Sequence, residues 1–307
     1  MEAFSRSPES LRALLTRIVD YAGLFPPAQL GMKEAVGSYA GYLAGPHRWM
    51  LGRFVVPAVR LDEFEAAAAR HFPRGQGSQP WQLSALVGID VRADVDRMLR
   101  FNCSHWEGSA TGHAVIDAAE LRVAEPGEIE ALASELPRNF RYFFEHPLEP
   151  DPEPFIAAAG RAGAGVKART GGVTAAAFPG TGAVARFLAA CVGAGVRFKV
   201  TAGLHHPVRG EYRLTYERDA PCGTMLGYLN VFLAAAALAA GESIASAHAL
   251  LERSDLEGLA FEPEGVRWGD LAISGGAIER ARELAVAFGS CSFREPVDEL
   301  IAAGLLE

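Results

Sequence analysis

From residue 53 to residue 201, short β-rich runs alternate with helix-forming runs, and this rhythm constrains the fold more than any other feature of the chain. Candidate strands lie at 53–57, 82–88, 114–121, 140–145, 165–169 and 196–201. Between them, 61–71, 91–101, 126–136, 154–162 and 182–192 are rich in Ala, Glu, Leu and Arg. The run 61–69 is typical, with strong helix formers and acids in its first turn. Strands that alternate with helices at this spacing make βαβ units and a parallel sheet. A further strand at 18–23 and another at 287–293 bring the chain to the eight units of an α/β fold of the (β/α)8 TIM barrel type. The competing arrangement, a doubly wound open sheet, lacks its G-x-G-x-x-G signature after the first strand.

The stretch 209–270 breaks the rhythm with an irregular loop (211–222), an Ala-rich helical region (224–251) and a small hairpin (259–270). It is an expected insertion after the seventh strand, suited to a lid or to contact between copies of the chain in a homo-oligomer. No low-complexity linker interrupts 1–307, so a single barrel domain is expected. Half the residues are apolar and 21% are charged, which excludes a disordered chain. A net charge of −8 argues against nucleic acid and anionic membrane as partners. The polar, acid-containing segment 1–10 does not have the pattern of a signal peptide. The longest apolar run, 231–240, is too short for a membrane span and is expected as a buried helix. Cys103, Cys191, Cys222 and Cys291 are far apart without a C-x-x-C pair, which suits reduced thiols and a cytoplasmic location.

Active sites of such barrels sit at the C-terminal ends of the strands. On the seventh strand, alternation puts Val196, Phe198, Val200 and Ala202 on one face and turns Arg197, Lys199 and Thr201 inward. On the sixth, Val166 and Ala168 face outward, Lys167 and Arg169 inward. The chain has only three lysines, Lys33, Lys167 and Lys199, among 29 basic residues, and two of them take matching inward positions on adjacent strands. An inward lysine needs a partner or a function, and unlike arginine it can lose its proton. A neighbouring cation would lower its pKa and leave a neutral amine able to form a Schiff base with an aldehyde or ketone. The residues allow two other readings: a cationic cluster neutralised by inward acids, and a non-covalent anion site.

Lys167-Ala168-Arg169-Thr170-Gly171-Gly172 resembles the K-x-S-T-G segment of the deoxyribose-phosphate aldolases, a class I aldolase family built on the TIM barrel. Phe198-Lys199-Val200-Thr201-Ala202-Gly203 resembles that family's second lysine segment, K-x-x-G-G, and Ala287-Phe288-Gly289-Ser290-Cys291-Ser292 its G-x-S-S phosphate loop. The resemblance implies Lys167 as the Schiff-base lysine and Ser290 with Ser292 in anion binding. The chain departs from the family pattern at Arg169, which replaces a small residue, and at Leu204-His205-His206-Pro207. Asp117 and Glu120 stand for the family's catalytic aspartate by position only. The opening segment Asp20-Tyr21-Ala22-Gly23-Leu24-Phe25-Pro26-Pro27-Ala28 and the terminal Gly289-Ser290-Cys291-Ser292-Phe293 resemble bacterial proteins of no assigned function instead.

The expected function is therefore an aldolase-type lyase acting on a small anionic carbonyl compound without a cofactor. Lys167 is its nucleophile and Lys199 lowers the nucleophile's pKa. Arg169 and Arg197 hold the anionic group, supported by Thr170, Gly171, Ser290 and Ser292. His205, Glu145 or Glu120 moves protons. A rival reading gathers Glu120, Glu145, His205 and His206, with His146 nearby, around a divalent metal for a lyase, isomerase or hydrolase. A third is a non-catalytic barrel that binds an anionic metabolite. Asp20 and Tyr21 reach the barrel mouth if 18–23 is a strand; they only end a helix if 16–21 is helical. Gly180-Thr181-Gly182 is expected as a plain turn and cap, and Cys222 and Cys291 as free thiols.

Overall fold

A computed structural model describes residues 7–149 and 151–307; most of the polar segment 1–10 lies outside the described residues. Its strands are β1 (Val19–Tyr21), β2 (Leu51–Pro57), β3 (Trp81–Leu86), β4 (Ala114–Arg122), β5 (Arg141–His146), β6 (Gly165–Arg169), β7 (Phe198–Thr201), β8 (Gly210–Arg213), β9 (Cys222–Met225), β10 (Leu259–Glu262), β11 (Gly265–Trp268), β12 (Leu271–Ser274) and β13 (Ala285–Ser290). The first seven and β13 pair in parallel and close into one barrel, β13 joining β7 to β1. This is the (β/α)8 TIM barrel. The segment 18–23 settles as a strand, which makes Asp20 and Tyr21 barrel residues.

Period-two alternation sorts the side chains. Phe54 and Val56, Tyr142 and Phe144, Val166 and Ala168, and Phe198 and Val200 face outward and are buried among the helices. Their alternates face inward, so charged residues on these strands meet inside the barrel. Local signals position the lysine strands. The helix Thr181–Ala194 ends at Gly195, whose φ of 65° stops it and turns the chain into β7. By length and composition the run Ala175–Ala194 is apolar enough to cross a membrane, but here a 3-10 turn and this outer helix divide it.

Strict alternation fails on β4, with consequences for the site. Ile116 pairs with Leu83 and Ala118 with Ser84, leaving Asp117 as an extra residue in a bulge. The bulge changes the parity of the strand, so Asp117 and Glu120 both reach the interior although three positions separate them. At the base, Asp117 holds Arg53 of β2 in a two-pronged ion pair at 2.6 Å.

The segment after β7 is more ordered than the sequence suggested. The expected irregular loop is spanned by the antiparallel pair β8 and β9. The Ala-rich region is two helices, Tyr228–Ala239 and Ile244–Glu252, because Gly241 takes a φ of 93° and the Ser243 hydroxyl caps the second helix. The small hairpin gains a third strand, β12. The helix Gly275–Leu284 then leads to β13.

Candidate active site

A cavity of about 350 Å³ opens at the C-terminal ends of the strands, with Asp20, Glu120, Glu145, Lys167 and Lys199 in its wall. Register puts them at one level. Glu145 of β5 pairs with Lys167 of β6, and Lys167 pairs with Lys199 of β7. Their side chains form a continuous row of alternating charge. Asp20 Oδ2 lies 2.6 Å from Lys199 Nζ, and Lys199 Nζ lies 2.5 Å from Glu120 Oε1. The other Glu120 oxygen lies 2.7 Å from Lys167 Nζ, which lies 2.6 Å from Glu145 Oε2. Ser84 donates to Glu120 at 2.7 Å. The Phe143 ring, its centroid 5.4 Å from Lys199 Nζ, closes the site on one side.

The position of Asp20 depends on a glycine. Asp20 Oδ1 accepts from the Arg53 backbone N–H at 2.7 Å. A Cβ on the adjacent Gly52 would collide with this oxygen and lie 3.1 Å from the Val19 carbonyl. Only an unsubstituted residue leaves the carboxylate room to turn toward Lys199.

The charges set the protonation of the row. Burial alone would push the Lys167 ammonium down, but Glu120 and Glu145 more than reverse this and raise its pKa. Burial would raise Glu120; Lys167 and Lys199 together hold it far below the ordinary carboxylate range. Glu145 is also lowered: burial opposes the shift, while Lys167, Arg122 and Arg169 drive it. The expected lowering of the Lys167 pKa by Lys199 is therefore corrected. Glu120 stands between the amines and, with Glu145, outweighs any repulsion.

The two lysines differ in access. Lys167 is 6% exposed and borders both the main cavity and a wider groove beneath the β3–β5 loops. Lys199, 2% exposed, borders the main cavity alone. Above them, His205 lines the cavity with Nδ1 3.0 Å from Glu295 Oε2, leaving Nε2 without a partner among the described residues. Tyr216 donates to the same Glu295 oxygen at 2.8 Å, and its hydroxyl lies 3.5 Å from Cys291 Sγ.

Other expected residues lie elsewhere or act structurally. Arg197 is exposed ahead of β7, at the opposite end of the strand from the mouth, and lines neither the cavity nor the neighbouring groove, so its expected substrate role is corrected. Alternation from Lys199 assigns it to the inward face, but it precedes the strand and is exposed. Arg169 does reach the mouth. Thr170 is buried and donates to the Ala202 carbonyl at 2.8 Å, holding Ala202 in a turn with a φ of 64°. Gly171 packs so closely that a Cβ would lie 2.6 Å from the Phe178 ring. Ser290 is buried with Oγ 3.3 Å from His205 Nδ1, and Ser292 Oγ accepts the Glu295 N–H at 3.2 Å. These four shape the walls; they do not line the cavity.

The metal arrangement does not form. Glu120 and Glu145 are taken up by the amines, and His206 turns to Glu299 at 2.6 Å. His146 stacks on Phe155 at 4.3 Å, with burial lowering its pKa. Among the described residues, no group of three or more His, Cys, Asp or Glu side chains is arranged to hold an ion. Sequence reasoning missed Arg122, Tyr216 and Glu295, which lie at strand ends and in loops with no motif, and it left Asp20 dependent on whether 18–23 is a strand or 16–21 a helix.

No family model matches the chain, and no match to it was found among curated proteins.

Proposed function

We propose that the chain is a lyase of the class I aldolase type, with Lys167 forming a Schiff base to a carbonyl substrate. The observation that carries this reading is the sharing of Glu120 by two buried amines beside an open cavity, the more accessible amine being Lys167. Ion pairing does not oppose such chemistry, because charge is conserved in it. The Lys167 ammonium gives a proton to Glu145, the neutral amine adds to the carbonyl carbon, and Glu145 returns the proton to the oxygen. That oxygen leaves as water with the two protons the nitrogen has lost. The nitrogen ends as an iminium, a cation still flanked by Glu120 and Glu145.

The iminium then draws the electron pair of the neighbouring carbon–carbon bond as His205 removes the proton of the hydroxyl beyond it. One carbonyl fragment departs. The enamine left on Lys167 is protonated on carbon, and water releases the second fragment. Lys199 acts by position: its charge keeps Glu120 ionised and aimed at Lys167. The arginines at the mouth support an anionic substrate.

The test is reductive trapping. Borohydride with a panel of carbonyl compounds should leave a mass adduct on Lys167 and none in Lys167→Met. No adduct from any compound, together with undiminished turnover by Lys167→Met, would overturn the reading.

A further inference from the structure

The walls of the mouth differ in charge. Arg122 ends β4 and Arg169 ends β6, with side chains 76% and 53% exposed. Both line the cavity and approach Glu145 Oε1, at 3.1 and 3.9 Å. Arg122 uses one nitrogen in this contact, and Arg169 makes no side-chain hydrogen bond among the described residues. Most of their donors are thus open to a ligand.

On the opposite wall Arg213 also lines the cavity, but the usual phosphate place there carries a carboxylate. In (β/α)8 barrels phosphate commonly binds at the loops after the seventh and eighth strands, against a helix N-terminus. In this chain the first turn of the helix Arg294–Ala302 contributes Glu295 to the cavity. The Glu295 N–H is already taken by Ser292, and Ser290 is turned toward His205. A carboxylate at that place repels a phosphate dianion.

On the Schiff-base reading of Lys167, we propose that the substrate is an unphosphorylated 4-hydroxy-2-oxo acid, its carboxylate held by Arg122 and Arg169 and its hydroxylated end facing His205, Glu295 and Tyr216. The spacing supports this class. The two oxygens of one carboxylate, Glu145, reach Lys167 at 2.6 Å and Arg122 at 3.1 Å. A carboxylate bonded directly to the reacting carbonyl carbon spans the same gap, placing that carbon beside Nζ. Guanidinium groups suit it because they bind carboxylates through paired donors. As the arginines turn to the substrate they leave Glu145, which becomes a better base for the Lys167 proton. With the iminium at C2, the C3–C4 bond breaks and its electrons enter the iminium. The C4 hydroxyl gives its proton to His205, and C4 departs as an aldehyde. The three-carbon enamine takes a proton at C3, and one water releases pyruvate.

Oxamate, an unreactive isostere of a 2-oxo acid, tests the clamp apart from the covalent step. Calorimetric titration should find oxamate binding to the native protein and to Lys167→Met, at least tenfold weaker binding to the folded R122Q/R169Q variant, and no competition by inorganic phosphate. No binding to the native protein, equal binding to the arginine variant, or displacement by phosphate would overturn the proposal. Pyruvate with cyanoborohydride separates the two ideas. Oxamate binding that follows the arginines without a pyruvate adduct on Lys167 refutes the Schiff base and keeps the clamp.

Discussion

Glu120→Gln is the most informative single substitution, because it removes one charge and keeps the shape. Glu120 touches Lys199 at 2.5 Å and Lys167 at 2.7 Å, and all three side chains are at most 7% exposed. At an effective dielectric constant of about 20, each contact carries a gross attraction of about 6 kcal/mol. Desolvation of the ions, several kcal/mol each, offsets most of this. What remains is the cost of leaving two buried amines with one carboxylate each, Asp20 for Lys199 and Glu145 for Lys167. Removing one partner of a buried pair typically costs about 3–5 kcal/mol. Urea unfolding of Glu120→Gln should show a loss of that size with an unchanged slope. The Lys167 pKa should fall at the same time, since Glu120 helps to raise it. Lys167 should then react faster with an amine-specific reagent at pH 8, followed by peptide mass mapping. A stability change under about 1 kcal/mol with unchanged Lys167 reactivity would refute the idea that Glu120 is the shared counter-ion of both lysines.

Two further outcomes follow from the same geometry. Gly52→Ala should destabilise by about 1–3 kcal/mol in urea unfolding, because the new Cβ displaces the Asp20 carboxylate; a neutral result would mean that Asp20 does not need its present position. The stabilisation from the raised Lys167 pKa is present below about pH 10 and is lost as pH rises through the raised value. That from the lowered Glu120, Glu145 and Glu295 is present above about pH 4 and is lost as pH falls through their lowered values. The lowered His146 pKa removes stability below about pH 6.5, and the raised Cys191 and Cys291 pKa values remove it above about pH 8.5. Urea midpoints should therefore hold a plateau from about pH 7 to about pH 8, and a steep fall inside that range would contradict the charge row.

Much of the site was legible because strand periodicity is local. Val166, Lys167, Ala168 and Arg169, and likewise Phe198, Lys199 and Val200, carry their inward and outward sides in their order. Height along a strand is not local, so Arg197 and Lys199 have the same parity in the sequence while only Lys199 reaches the cavity. The histidines illustrate the same limit. His205 and His206 are adjacent, yet each takes its partner from the C-terminal helix about ninety residues away.

The sequence by itself determined that two lysines would enter one barrel interior from neighbouring strands, since the βαβ rhythm and period-two alternation need only neighbouring residues. Tertiary structure decided what they meet there. A bulge at Asp117 changed the parity of β4 and brought Glu120 between the amines. The three-residue strand β1, with room made by Gly52, supplied Asp20. Barrel closure then joined carboxylates from β1, β4 and β5 to amines from β6 and β7. A lysine's protonation depends on the charges within a few ångströms of it, and those charges come from segments up to 179 residues away along the chain.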